Sequence, residues 1–115
     1  MAFAKLRRNS QFRVVYSEGE RVVGDAITIC YIRRGHEGVV PGFVASKKRV
    51  GKAHQRNRAK RLMREIFRKL RHRFEEQNLW IVFIASFKPS ETSFQDLFRD
   101  VESSLGRAGL ISKCG

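Results

Sequence analysis

The sequence predicts an α+β fold of one domain, a small mixed sheet sandwiched by helices in the chain order α-β-β-α-β-α. Three observations predict it: segments whose apolar residues alternate, segments where they recur every three or four positions, and one nearly unbroken apolar run, Leu79 to Ala85. At 115 residues and 42% apolar, the chain has material for one core and not for two.

Asn9 and Ser10 precede Phe12, Val15 and Tyr16 at helical spacing, and Gly19 follows, which reads as a short helix capped at Asn9-Ser10 and stopped by glycine. Little more than two turns long, it must dock to persist. Val22 to Arg33 reads as a strand, with Ile27, Ile29 and Tyr31 on one face and Thr28, Cys30 and Ile32 on the other. Arg34 to Gly38 is a turn. Val39 to Ser46 is the partner strand, with Phe43 and Ala45 on one face and Gly42, Val44 and Ser46 on the other, a small-residue set that suits a floor.

After the basic connection Lys47 to Ala53 comes the longest helix, on which Ala59, Leu62, Met63, Ile66, Phe67, Leu70 and Phe74 share one arc that faces the sheet. The run Leu79 to Ala85 is a strand covered on both sides, commonly a parallel one. Lys88-Pro89-Ser90 breaks it, and Phe94, Leu97, Phe98, Val101 and Leu105 mark a last helix ending near Gly106 or Gly109. Residues 1–8 form a basic arm and 107–115 a loose tail.

Lys plus Arg number 24 against 11 Asp plus Glu, a formal net charge of +13. Such a surplus calls for a polyanion. Nine Phe, two Tyr and one Trp set the chain apart from a disordered polyelectrolyte. The charge is concentrated: Lys47 to Arg73 holds thirteen basic residues and one acid, Glu65, and so carries +12 of the total. On a helical wheel Arg56, Lys60, Arg71, Arg64, Asn57, Arg68 and Arg61 cover a continuous arc of about 140° beside the apolar arc, and Glu65 lies outside it. A solvated helix face interleaves both signs, because like charges at i, i+4 cost a few tenths of a kcal/mol each. Arg56/Lys60, Lys60/Arg64 and Arg64/Arg68 are all like pairs, and guanidinium forks grip phosphate in pairs of hydrogen bonds, so the stripe reads as a nucleic-acid ridge. A membrane-surface helix would need its apolar arc free for lipid, and here that arc covers the sheet.

Other chemistry finds little support. Cys30 and Cys114 are far apart and lack ligand-spaced partners, which argues against a zinc site or redox pair. His36 and His54 have no partner suggesting a general base. No apolar run is long enough to cross a bilayer and the N-terminus lacks a signal h-region, so a cytoplasmic location is expected. Glu75 and Glu76 diverge at a helix end, and Asp96, Asp100 and Glu102 lie on the polar side of the last helix, so no catalytic residue and no metal site is assigned.

Ser46-Lys47-Lys48, Val50-Gly51-Lys52-Ala53 and Arg56-Asn57-Arg58-Ala59-Lys60-Arg61-Leu62-Met63-Arg64-Glu65 closely resemble the signature of the bacterial ribonuclease P protein component. Its N-terminal F-x-x-V-[FY]-x-x-G is present as Phe12, Val15, Tyr16 and Gly19. Two positions depart from the family: Ala59 replaces a larger aliphatic, and Cys30 stands where an aromatic is common. The resemblance implies a ribosomal-protein-domain-like fold with a left-handed βαβ crossover, and a protein subunit that assists a catalytic RNA in removing the 5′ leader from precursor tRNA.

On that resemblance Arg56, Asn57, Arg58, Lys60, Arg61, Arg64 and Arg68 dock the catalytic RNA. Phe12, Tyr16, Cys30, Val44, Ser46, Lys47 and Lys48 line a cleft for the single-stranded leader, where aromatic faces suit sequence-tolerant stacking, and the arm adds Lys5, Arg7 and Arg8. Read without it, Phe12 and Tyr16 are a core pair. The protein itself binds no cofactor; magnesium enters through the RNA. A ribosomal or RNA-assembly protein without leader selectivity is the alternative, and a minor-groove DNA protein finds only Phe3 and Leu6 as wedges.

Overall fold

The computed structural model describes residues 5–76 and 78–112. A helix α1 (Asn9–Glu18) leads into strands β1 (Glu20–Val23), β2 (Ile27–Ile32) and β3 (Val39–Val44). Helix α2 (Ala53–Leu70), a 3-10 turn (Arg71–Arg73), strand β4 (Leu79–Ala85) and helix α3 (Phe94–Arg107) complete the chain. The expected α+β sandwich is present, with one strand more than the sequence suggested.

What reads as a single strand from Val22 is a hairpin. Gly24 N–H donates to the Ile27 carbonyl, and the loop residues Asp25 and Ala26 donate their N–H groups to the two carboxylate oxygens of Asp100 on α3, at 2.8 Å each. The turn is held by a residue 75 positions away, which is why local pattern passed over it.

The four strands lie in the order β1-β2-β4-β3. β2 therefore does not pair with β3. β4 intervenes, antiparallel to β2 and parallel to β3. The most apolar strand takes a central place because both its faces are covered: Leu79, Ile81, Phe83 and Ala85 toward α2 and α3, Trp80, Val82 and Ile84 toward α1. The outer edge of β3 carries Pro41, whose missing N–H falls where no neighbouring strand needs it, and whose carbonyl accepts from Leu6 N–H at 2.9 Å.

The hand of the β3–α2–β4 crossover follows from these bonds. Seen from the α1 side with β4 running upward, an L-residue whose side chain faces the viewer points its N–H and C=O to the right. Ser86, in phase with Val82, donates to Ala26, which places β2 on the right; Leu79, of opposite phase, donates to Gly38 and places β3 on the left. Both strands run upward and α2 passes behind, so the crossover is left-handed, against the usual rule.

Two cap readings change. Asn9 and Ser10 lie inside α1; the N-cap is Arg8, and Gln11 Oε1 accepts from the N–H groups of Arg7 and Arg8 at 3.0 Å each. The end of α1 is governed by close approach: a methyl on Gly19 would overlap the carbonyl oxygens of Val15 and Tyr31. The tail expected from 107 is docked as far as Ser112, with Leu110 and Ile111 buried, Phe74 bridged to Ile111, and Ser112 bonded through its N–H to the Arg73 carbonyl. Its apolar pair Leu110-Ile111 seals the bottom of the α2–α3 core.

Candidate nucleic-acid interface

The two arcs of α2 separate in the fold as their chemistry demands. Ala59, Met63, Ile66, Phe67 and Leu70 are buried against the sheet, where Phe67, Phe43 and Phe83 pack with ring centroids 5.6–6.2 Å apart. Arg56, Lys60 and Arg64 emerge half-buried beside them, and Asn57, Arg61 and Arg68 are exposed. The Nε atoms of Arg56 and Arg64 are buried without a partner. The Arg64 guanidinium carbon sits 5.8 Å over the Phe43 ring, a cation–π contact that holds the group against the β3 edge.

Arg68 is less free than the wheel suggested, since it pairs with Glu65 at 3.1 Å; both are well exposed, so the pair contributes little. Arg58 is exposed but lies off the stripe, about 200° round the helix from Arg56.

On the other side of the sheet α1 lies along the middle cross-strand row, Cys30, Val82 and Gly42. Gly42 admits the Phe12 ring, whose edge would lie 2.6 Å from a methyl there. Phe12 is half-buried, and Tyr16, its ring centroid 6.4 Å away, is 44% exposed. Burial, then the neighbouring Cys30, push the Tyr16 phenol above its ordinary range, and Arg21 opposes this. Below the pair, Thr28, Ile84 and Val44 form the next row, all incompletely covered.

Of the expected cleft residues, Phe12, Tyr16 and Val44 stand partly exposed on the α1 side of the sheet, and one does not join them. Cys30 is 2% exposed, packed with Val15, and offers no surface; a side chain this small in the row beneath α1 is covered by the helix. Ser46, Lys47 and Lys48 are exposed in the turn after β3, and Ser46 Oγ accepts from Arg49 N–H. Thr28 and Ile84, not singled out in the sequence, complete the floor; their register with Val44 depends on β4 lying between β2 and β3.

Phe12 and the stripe, far apart in sequence, meet at the β3 edge. A groove of about 340 Å³ there is lined by Lys5 and Arg7 of the arm, Phe12 of α1, Phe43 of β3, and Lys60 and Arg64 of α2. His36 and His54 are exposed, and among the described residues no three His, Cys, Asp or Glu side chains gather. Nor is any helix among those residues long and apolar enough to cross a membrane.

The profile described as "Ribonuclease P" matches residues 2–109. The chain belongs to the ribonuclease P protein family. It is 36% identical over 109 residues to the ribonuclease P protein component of Caldanaerobacter subterraneus subsp. tengcongensis, spanning 95% of this chain and 92% of that one. With the Fusobacterium nucleatum component it shares 37% over 109 residues, 94% and 96% of the two chains.

Among solved structures, the RNase P protein of Staphylococcus aureus superposes with a TM-score of 0.81 at 22% identity, covering 97% of this chain and 100% of that one, a likeness of fold. The Thermotoga maritima RNase P protein gives 0.79 at 26% identity, with 90% and 96% covered. Family membership carries with it an RNA partner and a place in an endoribonuclease.

Proposed function

We propose that this chain docks on the catalytic RNA of ribonuclease P through the α2 stripe and holds the 5′ leader of precursor tRNA between α1 and the sheet. The observation that carries this reading is the meeting in one groove of Lys60 and Arg64, neither in an ion pair among the described residues, with the aromatic wall Phe12. A scaffold protein that only clamps folded RNA needs the first and has no use for the second.

Three of the acids hold the fold: Asp100 accepts from the hairpin loop, Glu102 pairs with Arg73, and Glu76 with Arg33. Cleavage and its magnesium ions then belong to the RNA, and the protein supplies affinity and position in the cytoplasm, where precursor tRNA is processed. RNA-free protein incubated with precursor tRNA should leave it intact; cleavage by such a preparation would sink this part of the reading.

Docking is tested by salt. Neutralising about six phosphates gives a slope of log affinity against log salt of roughly −4 to −5, and Arg64→Ala should reduce its magnitude by about one. An unchanged slope would mean that the stripe faces water. Leader binding is tested with the Tyr16 variants in reconstituted holoenzyme, described in the Discussion.

A further inference from the structure

The cations of this protein divide into partnered and unpartnered groups. Arg33 pairs with Glu76 and Glu20, Arg34 with Glu18, and Arg73 with Glu102 and the Ser112 carbonyl. Lys5, Arg7 and Arg8 make no ion pair within 4 Å among the described residues. Their backbone is nonetheless fixed, by Leu6 N–H on Pro41 and by Gln11 on Arg7 and Arg8. Three cations on a fixed backbone, none of them in an ion pair among the described residues, are what a bound polyanion would complete.

They line a groove of about 640 Å³ whose wall is Trp80 and whose one acid is Glu37. Glu37 is exposed and is in no ion pair among the described residues. Trp80 stands in the row Ile32–Trp80–Val40, four residues along β4 from the Ile84 row of the leader cleft, about 13 Å at strand rise. Because α1 lies over the row between, the groove and the cleft are on opposite flanks of that helix. Toward α2 the continuity is different: Lys5 and Arg7 line both this groove and the one containing Lys60 and Arg64.

We propose that the Trp80 groove is a second contact for the RNA that docks on α2, taking an unpaired segment with its phosphates on Lys5, Arg7 and Arg8 and a base against the Trp80 ring. Aromatic stacking with flanking cations is the general means of holding unpaired nucleotides. The shared lining with Lys60 and Arg64 of α2, and α1 standing between Trp80 and the Ile84 row, favour the docked RNA over the leader as the occupant. This inference rests on the RNA-docking reading given above.

Trp80 is the only tryptophan in the chain, so its emission reports on this groove and on the Arg34 guanidinium, whose carbon lies 5.6 Å over the ring. Full-length protein is titrated with catalytic RNA, with docking followed independently by gel shift. Docking should change Trp80 emission and reduce its quenching by acrylamide. Adding precursor tRNA should then change it no further.

The combined variant Lys5→Ala, Arg7→Ala, Arg8→Ala should still dock through α2, with the emission change lost and the salt slope reduced in magnitude by about two. Glu37→Gln should tighten docking several-fold. Docking with unaltered Trp80 emission would overturn the groove proposal alone; an emission change arising only with precursor tRNA would overturn its assignment to the docked RNA. Absence of any docking would sink the parent reading with it.

Discussion

The two faces of the sheet are built to different standards. Toward α2 and α3, Ile27, Ile29, Ile81 and Phe83 are at most 1% exposed, and Phe43, Phe67 and Phe83 interlock above them. Toward α1, a ten-residue helix covers one row and leaves Val44, Ile84, Ile32 and Trp80 half-covered on its two flanks. The first face is a core in the ordinary sense. The second is an apolar and aromatic surface left partly open, bordered by cations that make no ion pair among the described residues. On the proposed reading, stability and binding are placed on opposite sides of one sheet, and α2 serves both through different arcs.

The largest expected effect tests that division directly. Phe67→Ala removes the ring at the centre of the filled face and should lower the folding free energy by about 3–5 kcal/mol, read from urea unfolding. Tyr16→Ala, on the open face, should change it by less than about 1 kcal/mol. Equal costs would mean that α1 closes a second core and that the comparison is wrong.

Gly19 comes next, because it joins the open face to the sheet. Its Cβ would strike two backbone carbonyls, Val15 and Tyr31, which cannot swing away as a side chain could. Gly19→Ala should therefore destabilise by about 1–3 kcal/mol and shift the end of α1. Loss of near-ultraviolet tyrosine dichroism from Tyr16 and Tyr31, with urea unfolding in parallel, measures both. Full tolerance of the methyl would show that the helix end is looser than its packing indicates.

Much of this was legible in the sequence, and the misses share a cause. Alternation placed Ile27, Ile29 and Tyr31 opposite Cys30 and Ile32, and helical spacing separated the α2 arcs, because both signals are local. The β1–β2 hairpin was missed because its loop is held by Asp100, and the pairing of β3 was misread because β4, which separates it from β2, comes later in the chain. In the site, the cations of α2 could be listed from a helical wheel. That Arg64 rests on Phe43, that Lys5 and Arg7 close the same groove, and that Trp80 faces the arm all depend on strand order. The motif glycine is a case between: the sequence marks Gly19 as a helix stop, and the structure adds that no larger residue fits.

A ligand effect on the open face follows. In holoenzyme reconstituted with catalytic RNA, Tyr16→Ala should weaken the preference for precursor over mature tRNA by about 1–3 kcal/mol, the worth of one stacked base, while RNA docking by gel shift stays as it was. Tyr16→Phe keeps the ring and should keep the preference. A loss in both variants would assign the contact to the hydroxyl and remove stacking as the means of holding the leader.

The smallest effect separates the faces by their two tyrosines. Both phenols are raised above the ordinary value of 10.0, in each case chiefly by burial: Tyr16 with Cys30 adding and Arg21 opposing, Tyr31 with Glu20 adding and Arg33 opposing. Since the fold favours the neutral phenol, this stabilisation is present below about pH 10 and is lost as the pH rises through the folded value. Leader phosphates laid beside Tyr16 should hold its proton more tightly still. Tyr31 packs on the filled face and should not respond. Spectrophotometric titration of Tyr31→Phe and Tyr16→Phe proteins, with and without a single-stranded DNA analogue of the leader that survives alkali, reads each phenol alone. An upward shift confined to Tyr16 supports the division of the faces, and an equal shift at Tyr31 would break it.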